Sequence, residues 1–240
     1  MGGIFLYCDC HIHLLPNLDN GPTSVAEARA MIDMLRANGC RRALLTPHFY
    51  HDRETLTSFL ARRKASFHAL CEFAGPISGL HFALSAEVSI VPGVSRLAQL
   101  ERLLVPHTRI LPVELPLGRL DDYVIRELSH LIHKRKIQPM ICQTERYFIM
   151  MPPSDYEKLV TLPNTLYEFT VSALLDHSVT TEILRLVTAN RTVLLGSNAH
   201  NAQDRRPVDS ALEGQINIHA ATAYKVLCRR TKDTLNFVFN

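Results

Sequence analysis

The sequence predicts an α/β chain of one domain, folded as a (β/α)7-type distorted barrel, from two observations. Short apolar runs of strand length recur along the whole chain, and longer stretches of helical period separate them. Runs apolar on both faces are buried parallel strands, and alternation with helices is the βαβ pattern. A doubly wound open sheet answers the same pattern and is the alternative. The length of 240 residues, with 47% hydrophobic and 20% charged residues, suits one barrel domain with a sizeable core.

The strands read, in order, as Ile4–Cys8, Ala43–Thr46, Phe82–Ser85, Arg109–Val113, Gln138–Cys142, Thr165–Thr170 and Thr192–Gly196. The first helix is marked by a capping box, Ser24 with Glu27, by Val25, Ala28, Ile32 and Leu35 at helical spacing, and by Gly39 just past its end. Leu56, Phe59, Leu60, Phe67 and Leu70 mark a second helix, and Val124, Ile125, Leu128, Leu131 and Ile132 a third. Further helices are expected over Ser95–Leu104, Thr180–Ala189 and Ser210–Arg229, with 208–240 as a closing helical segment.

Charge and cysteine content narrow the function classes. A net charge of +3 and no Lys/Arg block give no case for nucleic acid or a membrane surface. No basic region precedes the N-terminal apolar run, which is too short for a signal peptide or a membrane span. The six cysteines are scattered, several inside apolar runs, as reduced thiols of a cytoplasmic protein are. None has an arginine six positions later, so the phosphate loop of cysteine-dependent phosphatases is absent.

The chemistry lies at the ends of the predicted strands. Asp9, His11 and His13 follow the first, and His48 the second. Glu87 follows the third and Glu114 the fourth; Gln143 and Glu145 follow the fifth, Asn198 and His200 the seventh. A closed parallel barrel brings these ends to one rim, where four imidazoles and two carboxylates make a site for Mn²⁺, Zn²⁺ or Fe²⁺. A single His at a strand end is ordinary; repetition at six of seven ends is the signal.

The motifs Asp9-Cys10-His11-Ile12-His13 and Leu18-Asp19-Asn20-Gly21-Pro22 continue through Thr46-Pro47-His48, Ala86-Glu87, Val113-Glu114, Glu145-Arg146-Tyr147 and Ser197-Asn198-Ala199-His200-Asn201 to Arg206-Pro207. In this order they resemble the polymerase-and-histidinol-phosphatase (PHP) superfamily, specifically the metal-dependent protein tyrosine phosphatases of capsule and exopolysaccharide systems. The resemblance implies three metal ions at the barrel mouth, commonly Mn²⁺, a bridging hydroxide as nucleophile, and a phosphotyrosine protein, an exopolysaccharide-system tyrosine kinase, as partner. The ligands it implies are His11, His13, His48, Glu87, Glu114 and His200. Arg146 and Arg206 match its phosphate-holding arginines, with Arg205 the alternative to Arg206.

Three positions depart from the pattern. Asn20 stands for the second Asp of D-D-G-P, Gln143 for the His of A-H-P-E-R-Y, and Asn198 for the Asp of S-D-A-H-N. An amide oxygen carries no charge and binds transition metals more weakly than carboxylate or imidazole. Fewer than three ions and weakened turnover are therefore expected. Asp19, beside Asn20, is expected to point elsewhere. A pseudophosphatase that binds the phosphorylated kinase without hydrolysis is the rival reading. A phosphoesterase for a small metabolite such as histidinol phosphate is the third, disfavoured by the Gly21-Pro22 turn and Glu145-Arg146-Tyr147.

Overall fold

The computed structural model describes residues 6–74 and 79–239. Among them run nine parallel strands in two sheets. The first sheet orders β1 (Cys8–Ile12), β2 (Arg42–Leu45) and β4 (His81–Leu84). The second orders β3 (His48–Phe49), β5 (Glu87–Ser89), β6 (Ile110–Glu114), β7 (Gln138–Ile141), β8 (Leu166–Thr170) and β9 (Thr192–Gly196). β3 and β5 continue β2 and β4 past short breaks, with Ser85 N–H donating to Leu45 O and Glu87 N–H to Pro47 O.

The ring closes between β9 and β1. His13 N–H donates to Ala199 O at 2.9 Å, Asn198 N–H to His11 O at 2.8 Å, and Ile12 pairs with Ala199. Seven strand positions thus form a distorted barrel, and the doubly wound alternative falls away. Deeper in this seam the backbone ladder is replaced by side chains. Leu195 N–H donates to Thr231 Oγ1 at 2.9 Å, and the Cys10 thiol to Leu195 O at 3.0 Å. Buried backbone groups must be satisfied somewhere, and here a C-terminal helix supplies the acceptor.

α1 (Val25–Ala37) forms as its sequence predicts. Ser24 Oγ accepts from Glu27 N–H, and Ala28, Met31, Ile32 and Leu35 are buried. The reciprocal half of the capping box differs: Glu27 accepts from the backbone N–H and hydroxyl of Thr23. α2 (Leu56–Ala74) seats Phe59 and Leu70 fully in the core. α3 (Asp122–Ser129) continues the predicted third helix and passes into a π-helical turn over His130–Lys134.

Three expectations need correction. The first strand is Cys8–Ile12; of the expected Ile4–Cys8, Ile4 and Phe5 lie outside the described residues and Leu6 and Tyr7 precede the strand, so Asp9 and His11 sit within it. Its run CDCHI is buried throughout because both barrel faces are covered, which hydropathy could not show for Asp and His. Ser95–Leu104 is two short 3₁₀ turns, Val94–Arg96 and Leu100–Leu103, broken by Gln99 at φ 62°. Two helices between β7 and β8, α4 (Thr144–Met150) and α5 (Pro153–Val160), were not expected; α5 opens on Pro153.

α6 (His177–Thr188) occupies the predicted position, capped by Asp176. The closing segment, expected as one helix or a pair, is a pair: α7 (Ser210–His219) and α8 (Ala221–Leu235) meet at Ala220, whose ψ of 29° leaves helical geometry. α8 packs across β1 and β9 and covers the seam. Among the described residues no helix is long and apolar enough to cross a membrane.

Candidate metal centre

The side chains converge at the C-terminal mouth of the barrel. His11 Nε2 lies 3.1 Å from His13 Nε2, and each lies 3.3 Å from Glu87 Oε2. His48 Nδ1 is 3.2 Å from the same oxygen, and the His200 ring stacks on His13 at 3.9 Å. His11, His13 and Glu87 are fully buried.

The opposite ring edges show why this arrangement calls for a cation. His11 Nδ1 faces Glu168 Oε2 at 3.0 Å, His13 Nδ1 faces Asp19 Oδ2 at 2.7 Å, and His200 Nδ1 faces the Asn198 carbonyl at 2.9 Å. Each of those partners is an acceptor, so each Nδ1 is the donor on that edge and Nε2 is the nitrogen left to face a cation. Two ring nitrogens and a carboxylate oxygen crowd within about 3.3 Å, an arrangement that a shared positive charge, a proton or a metal ion, relieves. Glu87 Oε1 and His200 Nε2 are buried without a hydrogen-bond partner.

Electrostatics follow from these contacts. Burial depresses the His11 basicity, yet Cys142, Glu87 and Glu168 outweigh it and raise it well above the ordinary imidazole value. His13 is raised likewise, through Asp19 and Glu87, against its own burial. Burial disfavours the Glu87 carboxylate, but His11, His13 and His48 pull it far below its usual range. At the rim the balance reverses. Burial, with the charge on His13, lowers His200 to about 2, and burial lowers His48 to about 4, so both stay neutral ligands near pH 7.

A divalent cation fits this donor set. His11, His13 and Glu87 form one cluster with ligand atoms within 4.8 Å of one another, and His13, His48 and His200 form another. Protons compete with metal for His11 and His13, whose basicity is raised. Metal affinity is therefore expected to rise as pH increases above about 6.5, the ordinary imidazole value. Calorimetry in buffers of different ionisation enthalpy would detect the released protons; affinity flat from pH 6 to 8 would contradict this arrangement.

Other predicted site residues lie differently. Glu114 is 3.8 Å from His48 Nδ1, but its Oε1 is paired with Arg146 Nη1 at 3.2 Å. The same Arg146 nitrogen donates to Gln143 Oε1 at 2.8 Å. A guanidinium thus bridges the Glu114 and Gln143 side chains. Asn20 is exposed, beside a cavity of about 490 Å³ that His48 and Asp19 also line. Asn198 is buried at φ 48°, and Gln143 stands at φ 50°. Left-handed backbone favours Asn, Asp and His over Gln, so a histidine at 143 would meet no backbone penalty.

Arg206 pairs with Asp209 at 2.7 Å and is half exposed. The Arg205 backbone is tied to the donor cluster, since His200 N–H donates to Arg205 O at 2.7 Å. Both arginines line a polar cavity of about 540 Å³ with Gln143, Ser172, Ser197 and Asn198.

The run Glu145-Arg146-Tyr147 on α4 holds the mouth together in three directions. Glu145 accepts from Thr170 N–H; burial and the nearby Glu168 carboxylate push it up to about 7. Arg146 reaches Glu114. The Tyr147 hydroxyl accepts from Leu115 N–H at 2.8 Å, anchoring the turn after β6.

Two further carboxylates join the site, Asp19, which the sequence reading weighed and expected to point elsewhere, and Glu168, which it missed. Asp19 points into the site: besides His13 it accepts from His48 N–H at 2.9 Å and Gly21 N–H at 2.9 Å. A Cβ on Gly21 would stand 2.9 Å from Asp19 Oδ1 and 2.9 Å from His13 O, so the turn needs glycine there. Glu168, fully buried in β8, was marked only by being the one charge within an otherwise strand-like run.

Comparison with known proteins agrees with this architecture. A solved structure described as YwqE from Bacillus subtilis and CpsB from Streptococcus pneumoniae, "unique metal-dependent tyrosine phosphatases", superposes with a TM-score of 0.74 at 20% identity. The match covers 97% of this chain and 95% of that one. An uncharacterized protein superposes with a TM-score of 0.53 at 11% identity, over 97% of this chain and 74% of that one. No functionally curated protein matches significantly. The family model for capsular polysaccharide synthesis, CpsB/CapC, matches residues 7–230, nearly the whole span from β1 to α8, and the chain belongs to that family.

Proposed function

We propose that this protein is a metal-dependent protein tyrosine phosphatase of a capsule or exopolysaccharide system, with an attenuated metal centre. The observation that carries this reading is the His11–His13–Glu87 cluster, whose two ring nitrogens and carboxylate oxygen converge within 3.3 Å of one another. His11, His13 and Glu87 would hold one ion, and His13, His48 and His200 a second, with His13 shared or alternating. Mn²⁺ is the ion that the family resemblance implies, and the imidazoles of this donor set equally suit Zn²⁺ or Fe²⁺. A bound divalent ion supplies Lewis acidity and lowers the pKa of a coordinated water towards neutrality.

The chain's own groups perform the rest. Asp19 and Glu168 fix the tautomers of His13 and His11. Arg205 and Arg206 at the neighbouring cavity are placed to orient a phosphoryl oxygen, and Ser172, Ser197 and the amides of Gln143 and Asn198 offer neutral hydrogen bonds to the rest of the substrate. The proposed partner is a phosphotyrosine protein, an exopolysaccharide-system tyrosine kinase, acting with a cytoplasmic enzyme.

One observation favours the rival reading of a phosphotyrosine-binding pseudophosphatase. Arg146 neutralises Glu114 and ties up Gln143, so an internal guanidinium stands where the family pattern expects a metal held by those two positions. Fewer than three ions follow from this.

The triple variant Asn20→Asp, Gln143→His, Asn198→Asp tests both readings against the natural chain. The natural protein is expected to release phosphate slowly from a phosphotyrosine peptide with Mn²⁺. The variant is expected to bind more metal and turn over at least about 10-fold faster, since each restored donor acts on metal affinity. Tight peptide binding by the natural chain with no phosphate release at any Mn²⁺ concentration would select the pseudophosphatase. Preference for a small phosphate ester over the peptide would overturn both.

A further inference from the structure

The Nε2 edge of His11 belongs to the centre described above; its Nδ1 edge faces a different set of donors. His11, Cys142 and Glu168 place one ligand atom each within 4.8 Å of one another. Their exposures are 0%, 1% and 0%. They come from three separate elements: His11 from β1, Cys142 from the residue after β7, and Glu168 from the middle of β8.

Their local bonding leaves capacity unused. Glu168 Oε2 accepts from Gln143 N–H at 2.7 Å and faces His11 Nδ1, but Oε1 is buried with no partner. Burying a carboxylate oxygen without a hydrogen bond is costly and calls for a compensating group. The Cys142 sulfur lies 3.7 Å from the Met140 carbonyl, a weak contact, and otherwise faces the His11 ring. Beside Oε1 the chain carries glycine: a Cβ on Gly196 would stand 2.7 Å from it.

We propose that His11 Nδ1, the Cys142 sulfur and the Glu168 carboxylate form a second cation site, which takes a thiophilic divalent ion of the Zn²⁺ class. A sulfur, a nitrogen and an oxygen donor suit Zn²⁺, whereas Mn²⁺ prefers oxygen ligands. Tetrahedral Zn²⁺, with bonds of about 2.0–2.3 Å, spaces its ligands roughly 3.5 Å apart, which small side-chain rotations reach from the present separations. Coordination forms a metal–sulfur bond and releases the thiol proton to solvent. The His11 proton moves from Nδ1 to Nε2, where it donates to Glu87 Oε2. Filling this site therefore withdraws His11 from the mouth cluster. Zinc at depth and a Mn²⁺ ion held through His11 exclude one another.

The inference does not depend on the phosphatase reading, and its test does not use activity. Co²⁺ serves as the spectroscopic stand-in for Zn²⁺, in a Cys71→Ser background that removes the exposed thiol. One equivalent of Co²⁺ is expected to give a sulfur-to-cobalt charge-transfer band in the near ultraviolet, bleached by one equivalent of Zn²⁺. Adding Cys142→Ser, with circular dichroism reporting the fold, is expected to abolish the band. It should weaken Zn²⁺ binding about 10-fold or more while leaving Mn²⁺ binding unchanged. Co²⁺ binding without that band in the folded Cys71→Ser protein overturns the proposal. So does a band that survives Cys142→Ser, or failure of the folded protein to take up Co²⁺ at all.

Discussion

Replacing Glu87 with glutamine is expected to lower divalent-metal affinity by about 100-fold or more, the largest effect of any single substitution at the mouth. One carboxylate oxygen stands within 3.3 Å of three imidazole nitrogens, on His11, His13 and His48. With Asp19 at His13, and with Cys142 and Glu168 at His11, its charge sustains the raised basicity of both rings against complete burial. Glutamine keeps the shape and one acceptor oxygen but removes the charge, so the four groups no longer present a net attraction for a cation. The metal-free protein should also lose stability, because removing one partner of a buried charged group typically costs about 3–5 kcal/mol. Equilibrium dialysis against Mn²⁺, with urea unfolding of the metal-free protein alongside, measures both. Unchanged Mn²⁺ stoichiometry in a folded variant would show that Glu87 is not a ligand.

Gly196→Ala is expected to destabilise the protein by about 1–3 kcal/mol, the range for overpacking a tight interior, and to disturb His11 in the same step. The added Cβ would stand 2.6 Å from His11 Cβ, 3.0 Å from His11 N and 2.7 Å from Glu168 Oε1. Two of those atoms belong to the backbone of β1 or are fixed to it, so relief must come from parting β1 and β9 where the barrel closes. Gly214→Ala provides the contrast. That glycine lies on the exposed face of α7 with nothing within 4 Å of a new Cβ, and alanine there should stabilise by about 0.5–1 kcal/mol through helix propensity. Urea midpoints of the two variants should move in opposite directions; a neutral Gly196→Ala would refute the close approach at the seam.

Much of the barrel was legible because burial on both strand faces writes itself as apolar runs. β2, β4, β6, β7, β8 and β9 lie within a residue or two of the predicted strands. β1 was displaced for a specific reason. Its sequence CDCHI alternates cysteines with Asp9 and His11, so the buried strand reads as polar and the preceding apolar residues read as the strand. The α4 and α5 helices were hidden by their shortness, since seven or eight residues hold too few turns for periodicity to register.

The site was legible as residue types but not as a charge balance. Counting carboxylates by motif leaves Glu87 and Glu114, a deficit against several divalent ions. In the fold, Glu114 is spent on Arg146, while Asp19 and Glu168 join the imidazoles from their far edges. Glu168 stands 157 positions from His11 along the chain, and no spacing rule links them.

The sequence by itself determined the kind of molecule: a β/α barrel whose strand ends carry imidazoles, carboxylates and three amides in fixed order. Those are properties of residue type and local period, which act over a few residues. Tertiary structure alone decided which carboxylate faces which imidazole, that Arg146 bridges Glu114 and Gln143, and that Cys142 lies beside Glu168 on the second edge of His11. Interactions that fall off within a few ångströms are set by the three-dimensional path of the chain, and ring closure at Gly196 brings the first strand to the last.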